Sequence, residues 1–410
     1  MPRVNAGDTA WLLASAALVM FMTPGLAFFY GGLVRAKNVV GTIMQSFIAL
    51  ALVTITWALV GYSLAFGPDK GGIIGGLDFF ALNHVGGAPN AFAPTVPATT
   101  FMVFQMMFAI ITPALIAGAF AERMKFSGYL MFIGLWSTVV YAPLAHWEWG
   151  GGFLGANGVG ALDFAGGAVV HANAGAAALA TAIYLGRRLG HGVDDMSPHN
   201  VPFVVLGAGI LWFGWFGFNA GSALSSGALA SSALVNTQLG AAAAALAWIF
   251  SERARGGKAT TVGAATGAVA GLATITPAAG YVQPMAALAI GLIAGLVCFQ
   301  ALRLKDRFGY DDSLDVVGVH MVGGAIGVLL TGAFASLAIN AAGAAASLAQ
   351  VGKQAVLVGV TLVFSFVATF VLLKISDVTI GLRVSDEHEE MGLDASQHGE
   401  VAYRMGDTLG

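Results

Sequence analysis

Long runs of apolar residues, separated by short polar connections, dominate this chain of 410 residues. A helix needs about 20 consecutive, mostly apolar residues to cross a bilayer. By that measure the sequence predicts eleven membrane-spanning helices. The predicted spans are residues 10–33, 40–66, 98–121, 127–147, 163–186, 201–221, 231–250, 260–276, 282–302, 316–336 and 354–376. The pattern is typical of an all-α polytopic membrane protein, with a transmembrane domain over residues 1–376 and a polar, acidic tail over residues 377–410.

The basic residues alternate between successive connections. Counted with the tail, fifteen Lys and Arg residues fall on one side of the membrane, and three fall on the other: Arg3, Lys70 and Lys353. Because short loops rich in Lys and Arg stay in the cytoplasm, we predict an N-terminus outside and a C-terminus inside. The N-terminal residues lack the features of a signal peptide, so we expect that such a segment either never existed or has been removed.

Eleven spans divide into two sets of five and one additional C-terminal helix. Two five-span halves must have opposite orientations because five is an odd number. The number of spans therefore predicts an inverted repeat, and such repeats have a substrate site near the membrane midplane. Asp163 and His171 lie in span five, and Asp315 and His320 lie in span ten, which are the last spans of the two halves.

The composition excludes several classes of protein. Of the residues, 57% are hydrophobic and 10% are charged, whereas soluble domains carry about 25% charged residues. No basic run interleaved with aromatic residues is present, so we expect no nucleic-acid partner. The single cysteine, Cys298, is interpreted as a packing residue. Because the sequence contains no phosphate-binding loop, nucleophile triad or cluster of metal ligands, we expect no cofactor, no metal and no enzymatic activity.

Two Asp–His pairs fall inside predicted spans, where an ionisable group is costly unless it faces a partner or a cavity. Asp163 and His171 are eight residues apart, which would place both side chains near one face of a helix. Asp315 and His320 are five residues apart. We interpret His171 and His320 as lining a pore, neutral at pH 7 because burial disfavours the charged form. Adjacent imidazoles could pass a proton; the alternative is that each histidine is a structural hydrogen-bonding residue.

Aromatic residues and one hydroxyl fall at the predicted outer ends of several spans. Phe104 and Phe108 are four residues apart on one helix face, and Trp149 and Ser222 end other spans. An aromatic cluster with a hydroxyl can bind a small cation by cation–π contact and a hydrogen bond. The alternatives are an interfacial aromatic belt and ordinary core packing. Asp163 is interpreted as a cap of backbone amides rather than as a catalytic group.

Seven motifs spread along the chain resemble those of the ammonium transporter (Amt/Mep/Rh) family, in particular the bacterial Amt branch. They are FFYGGLVRAKN at 28–38, GAFAERMKF at 118–126, AHWEWGGG at 145–152, DFAGG at 163–167 with His171, GWFGFNAGS at 214–222, TPAAGY at 276–281, and Asp315 with GVH at 318–320. The resemblance implies a homotrimer in the cell membrane, with one pore per subunit and the same eleven-span topology.

The resemblance also implies roles for individual residues. Trp149, Ser222 and Phe104 match the family's external ammonium recruitment site. Phe108 and Phe218 match its phenylalanine gate, and His171 and His320 match its twin histidines. Asp163 matches its supporting aspartate, and Asp315 is placed in the same supporting class. The tail resembles a regulatory segment that affects docking of a PII-type signalling protein.

The expected function is therefore ammonium transport, with methylammonium as an analogue. Ammonium would be captured at the mouth and deprotonated, and ammonia would cross past the histidines, with its proton following through a relay. The alternatives are an ammonium sensor that signals through the tail and a neutral gas channel for ammonia or carbon dioxide. One departure from the family pattern is Glu148, which adds a carboxylate at the mouth. Another is the bulky Gln-Met-Met between Phe104 and Phe108, which would narrow it.

Overall fold

The chain forms a bundle of membrane-length helices in a computed structural model that describes residues 3–403. Within that range, ten helices are long and apolar enough to cross a membrane, and one further apolar helix is shorter. In chain order they are α1 Ala6–Leu33, α2 Ala36–Phe66, α3 Ala98–Phe120, α4 Phe126–Glu148, α5 Gly167–Leu185, α6 Val201–Gly221, α7 Ala228–Ala254, α8 Thr261–Ile275 (the shorter one), α9 Pro284–Phe308, α10 Val317–Phe334 and α11 Leu348–Ile380. The prediction of an all-α polytopic membrane protein is confirmed, while the exact number of spans and their orientation stay predictions.

The helix ends differ from the predicted spans at functionally important places. α5 begins at Gly167 rather than at residue 163, so Asp163 precedes the helix. α11 runs from Leu348 to Ile380, beyond the predicted range of 354–376. The tail is described only as far as Tyr403. Residues 404–410, including the Arg404 that enters the charge count, lie outside the described residues.

α3 lies at the centre of the bundle and is buried along almost its whole length. Its sequence is apolar on every face, and a helix without a polar stripe is stable only when it is surrounded by other helices. α1 packs against both α3 and α6, while α7, α8 and α9 pack against one another. A short hairpin, Asp69–Lys70 with Ile74–Gly75, lies in the connection between α2 and α3.

α5 and α10 pack against each other and begin in the same way. Each begins with a π-helical turn, Gly167–Ala172 in α5 and Val317–Val322 in α10, and each turn contains one of the two histidines. A glycine follows each histidine by four residues. A Cβ at Gly175 would come within 2.3 Å of the Met321 nitrogen, and a Cβ at Gly324 within 2.5 Å of the Gly167 oxygen. The two helices can therefore approach closely at both points, as expected of paired helices in an inverted repeat.

The described part of the tail packs across one face of the bundle. It contains a short helix, α12 Asp386–Met391, followed by a π-helical turn, Asp394–His398. The Lys125 amide donates to the Leu382 carbonyl at 2.7 Å. The Arg383 guanidinium donates to the Leu185 carbonyl at 2.6 Å and to the Glu389 carboxylate at 2.8 Å. The tail thus joins the start of α4 to the end of α5.

A buried cluster of charges lies beneath this tail. Arg35 contacts Glu122 at 2.7 Å, and Arg188 contacts both Glu122 at 3.3 Å and Asp311 at 2.9 Å. Burial alone would raise the pKa of Glu122, but the neighbouring guanidinium groups hold it below its ordinary value. In the same way, Arg188 and Arg123 overcome the effect of burial and lower the pKa of Asp311 well below its usual range. The cluster fixes the connections α3–α4, α5–α6 and α9–α10 to one another.

Candidate functional site

A cavity of about 360 Å³ opens beside the indole of Trp149, and we call it the Trp149 cavity. Its lining includes Phe108, Glu148, Asp163 and Ser222 as well as Trp149. The indole N–H donates to the Asp163 carbonyl at 2.8 Å, which fixes the ring. The Ser222 hydroxyl donates to the Phe218 carbonyl at 2.8 Å, so its oxygen lone pairs remain available as acceptors.

Phe104 does not line this cavity. It is fully buried and packs edge-on against Phe108, with ring centroids 4.9 Å apart. The aromatic walls of the cavity are formed instead by Trp149, Phe108 and five rings without a role predicted from the sequence: Phe66, Phe92, Phe101, Phe164 and Tyr281. The spacing of Phe104 and Phe108 in the sequence could not show which of them lines the cavity. α3 is buried on every face, so no side of the helix is distinguished by its polarity.

Phe108 and Phe218 close the inner end of the Trp149 cavity. Their rings stack with centroids 4.2 Å apart and an interplanar angle of 27°. Phe108 lines the Trp149 cavity, whereas Phe218 lines a narrow space on the opposite side of the stack. A molecule passing between the two spaces must displace these rings.

The narrow space beyond the rings is an apolar passage with two polar residues. Its volume is about 10 Å³, which is the space of roughly one water molecule. His171 and His320 line it, and the other lining residues are apolar or aromatic: Met22, Leu26, Phe29, Ile111, Leu115, Leu211, Trp215, Phe218 and Val269. An ion would lose nearly all of its hydration in this passage.

The structure brings the two histidines together, as predicted. Their Nδ1 atoms are 3.2 Å apart, and the ring planes are nearly parallel, with an interplanar angle of 21°. One Nδ1 must donate a proton and the other must accept it, so the shared hydrogen bond requires at least one neutral ring. His171 also stacks on Trp215 at 5.3 Å, and its Nε2 has no hydrogen-bond partner among the described residues. That nitrogen is available to a molecule in the passage.

Asp163 caps α5 from outside the helix, so the expectation that it shares a helical face with His171 is wrong. Its Oδ1 accepts from the amides of Gly166 and Gly167 at 2.8 and 2.7 Å. Its Oδ2 accepts from the amides of Ala168 and Val169 at 2.8 and 3.1 Å. All four bonds satisfy amides at the start of α5 that have no partner within the helix. The interpretation of Asp163 as a cap agrees with this geometry.

In the second half, Asp312 rather than Asp315 occupies the capping position. Asp312 accepts from the Val317 amide at 2.7 Å, and it precedes His320 by eight residues, as Asp163 precedes His171. The equal spacing was a signal in the sequence that could have identified Asp312. Burial and the charge of Asp315 raise the pKa of Asp312 to about 6. Asp315 itself has a left-handed backbone, with φ of 64°, and pairs with Lys305.

A second cavity of about 350 Å³, here called the Lys305 cavity, lies on the far side of the histidines. His320 lines both this cavity and the apolar passage, as does Phe29. The charged residues in its lining are Arg188, Asp194, Lys305 and Asp315, and His191 also lines it. The two cavities and the passage therefore follow one another along a single route, interrupted at the Phe108–Phe218 stack.

Comparison with known proteins gives consistent matches over nearly the whole chain. The sequence matches the Ammonium Transporter Family over residues 10–403. It is 49% identical over 406 residues to the ammonium transporter of Bacillus subtilis, covering 98% of this chain and 99% of that one. Among solved structures, it is similar to Saccharomyces cerevisiae Mep2, with a TM-score of 0.90, 37% identity, and coverage of 99% and 93%. It is also similar to a protein described as a sensor Amt protein, with a TM-score of 0.88, 30% identity, and coverage of 96% and 98%.

Proposed function

This chain belongs to the ammonium transporter family, and we propose that it takes ammonium from the Trp149 cavity and passes ammonia between its twin histidines. It is a multi-pass protein of the cell membrane. The observation that carries the mechanism is the sequence of spaces along one route. An aromatic and acidic cavity is followed by a closed ring stack, an apolar passage with two histidines and a second cavity.

Capture takes place in the Trp149 cavity, on the side that the charge pattern predicts to be external. The indole face of Trp149 and the ring of Phe108 attract a cation through their π electrons. The Ser222 oxygen accepts one N–H of the ammonium ion. The Asp163 carboxylate is engaged by four amides, so it supports the site by orienting the Gly166–Gly167 turn and through its field.

Ammonium transfers a proton to water in the Trp149 cavity before the substrate enters the passage as ammonia. Moving a bare cation into a space of about 10 Å³ with apolar walls would cost far more than moving neutral ammonia. Neutral ammonia can donate to or accept from the free Nε2 of His171. Potassium has no proton to release, so the same barrier excludes it.

The proton follows ammonia through the pair of histidines, which makes transport electrogenic. The two Nδ1 atoms share one hydrogen bond at 3.2 Å. If a proton arrives at Nε2 of one ring, the shared proton can shift to the other ring, which then releases a proton from its own Nε2. Charge is thereby moved without an ion ever occupying the passage.

Charge movement in proteoliposomes tests this function. Purified protein is reconstituted, adsorbed on a supported membrane and pulsed with ammonium, methylammonium or potassium. We expect transient currents with ammonium and methylammonium and none with potassium. Ammonia flux measured by internal pH without any current would instead indicate a neutral gas channel, although the Trp149 and Ser222 arrangement favours capture of a cation.

The twin histidines provide the sharper test of the relay. In the double variant His171→Ala/His320→Ala we expect the ammonium current to fall by at least about tenfold, because the proton route is lost. His84→Ala/His388→Ala is the matched control and should leave the current unchanged, since both histidines are exposed and neither lines the cavities or the passage. An ammonium current of unchanged size in the double variant would rule out the relay.

A sensor is the second candidate function, and its support is the similarity to a protein described as a sensor Amt protein. The ordered packing of the tail against α4 and α5 gives such a signal a route to the cytoplasmic face. Saturable ammonium binding without flux or current would favour it. We also propose a homotrimer, and a PII-type signalling protein as partner of the tail face; cross-linking and co-purification would test these assemblies.

A further inference from the structure

The carboxylate of Glu148 is the least satisfied charged group of the Trp149 cavity. Glu148 is the last residue of α4 and lines the cavity beside Trp149. Its side chain is buried, with 8% of the residue exposed. Its Oε2 atom has no hydrogen-bond partner among the described residues. A buried carboxylate oxygen without a partner is unfavourable unless a cation or a donor joins it.

The other carboxylate of the cavity, that of Asp163, has hydrogen-bond partners for both of its oxygens. Each carboxylate oxygen of Asp163 accepts hydrogen bonds from two backbone amides, at 2.7–3.1 Å. Those bonds stabilise its negative charge and leave little capacity to coordinate a further group. Of the two acidic side chains in the cavity, only Glu148 therefore retains an acceptor that a ligand could use.

Nothing in the described lining of the cavity neutralises this charge. Its residues are aromatic, aliphatic, amide or hydroxyl in character apart from the two acids, and none is Lys, Arg or His. Two carboxylates in one cavity of low polarity repel each other. A cation supplied from solution would relieve both the repulsion and the missing contact.

We propose that Glu148 is the counter-ion of the ammonium ion in the Trp149 cavity, pairing directly with the bound cation through its carboxylate. This inference rests on the proposed function for the identity of the cation. In this arrangement Trp149 offers its ring face, Ser222 accepts one N–H, and Glu148 supplies the full negative charge that the other two lack. The residue sets affinity for the cation at the mouth, and it takes no part in the passage beyond the ring stack.

Binding and transport are measured on the same full-length variants. Saturable binding of radiolabelled methylammonium to purified protein gives Kd, and ammonium currents give the apparent KM and the maximal current. Glu148→Gln keeps the shape of the side chain and removes its charge. Since a hydrogen bond to a charged group is a strong one, we expect Kd and KM to rise by about tenfold or more, with the maximal current changed by less than about twofold.

Three further variants control the interpretation. Glu148→Asp keeps the carboxylate and should retain binding within about threefold of the wild type. Glu148→Met is a second neutral variant of similar length and should behave as Glu148→Gln does. Asp78→Asn removes one negative charge from the exposed α2–α3 connection, outside the cavity lining, and should leave Kd and KM unchanged.

Each outcome decides the proposal. It is overturned if either neutral variant binds methylammonium with the wild-type Kd, or if the wild type shows no saturable binding. Failure of both neutral variants to fold while Glu148→Asp folds would make the carboxylate a structural group and would equally overturn it. Binding that depends on Glu148 in a protein without any ammonium current would leave the counter-ion role standing and reject the proposed transport function.

Discussion

The Trp149 and Lys305 cavities have almost the same volume, about 360 and 350 Å³, but the charged residues in the described lining of the first are all acidic, whereas the second has acidic and basic residues together. The Trp149 cavity has two carboxylates, those of Glu148 and Asp163, and its described lining includes no basic residue. The Lys305 cavity places Lys305, Arg188 and His191 beside its acidic residues. The first can attract a cation, whereas the second gives a cation no net advantage. This difference suits a route that receives ammonium at one end and delivers neutral ammonia at the other.

The two capping aspartates, each eight residues before a histidine, also differ, in the number of their hydrogen-bond partners. Asp163 is held by four backbone amides. Asp312 accepts from the Val317 amide, and its Oδ1 has no partner among the described residues. The repeat thus conserves the position of the carboxylate but not the number of its partners. The cap of α5 is held by four hydrogen bonds to Asp163, whereas the cap of α10 changes its charge when Asp312 gains or loses a proton.

The largest expected difference between the two ends is in stability. Asp163→Ala should lower the free energy of unfolding by at least about 3 kcal/mol, because several hydrogen bonds to a charged group are lost together. Asp312→Ala should cost about 1–2 kcal/mol. Apparent Tm in detergent measures both, with the exposed Asp195→Ala as control. Equal losses at Asp163 and Asp312 would mean that the two caps are equivalent despite their different partners.

The next effect concerns pH. The pKa of Asp312 in the folded protein is about 6, above its ordinary value, so the folded state holds this proton more tightly than the unfolded chain does. Its stabilising contribution is complete below about pH 4 and is lost as the pH rises through 6, a change of about 2–3 kcal/mol. The Tm of the wild type minus that of Asp312→Asn should therefore fall between pH 4 and pH 7. A pH-independent difference would contradict the assignment.

A smaller effect is expected from the hydroxyl in the Trp149 cavity. Ser222→Ala removes one neutral acceptor from the bound cation, which corresponds to about 1 kcal/mol, or roughly fivefold in KM. The ammonium current as a function of concentration measures it. Ser225→Ala, which removes a nearby hydroxyl absent from the lining of the cavity, serves as the control. A KM equal to that of the wild type would remove Ser222 from the capture site.

The smallest effect is expected at the opposite end. Asp315→Asn removes a charge from the Lys305 cavity, beyond the ring stack and the passage. The KM for ammonium applied on the Trp149 side should change by less than about twofold, because distant charges are weakly coupled. The same current assay measures this KM. A shift as large as that of Ser222→Ala would show that the two cavities influence each other electrostatically.

The sequence predicted the membrane class, the apolar spans and the meeting of the two histidines, because hydropathy and buried charge are strong signals. It did not predict that α5 begins after Asp163. The residues between Asp163 and the helix are Phe164, Ala165 and Gly166, none of which is polar, so hydropathy continues across the boundary. The left-handed φ of 114° at Gly166 ends the irregular segment there, and a glycine pair in a glycine-rich chain is a weak marker of such a turn.

The partners of individual side chains were also outside what the sequence could determine. The role of Phe104 was assigned from resemblance, but the surrounding helices cover it completely. The prediction from the sequence names Asp315, five residues before His320, and does not consider Asp312. The selection between them depends on the direction of the chain before α10, which is set by the left-handed backbone of Asp315.

Because α5 and α10 each begin with a π-helical turn, the number of residues before each histidine determines where its imidazole points. A π turn accommodates about one more residue than an α turn, and each residue of an α-helix advances the side chain by roughly 100° around the axis. Deleting or inserting one residue between the capping aspartate and the histidine would therefore rotate the imidazole out of the passage even though every chemical group remained. The two imidazoles meet through one 3.2 Å contact between their Nδ1 atoms, so a rotation of one ring breaks that contact unless the other ring moves with it. The spacing of eight residues between aspartate and histidine occurs twice in the chain. Both copies must be kept for the two imidazoles to line the passage.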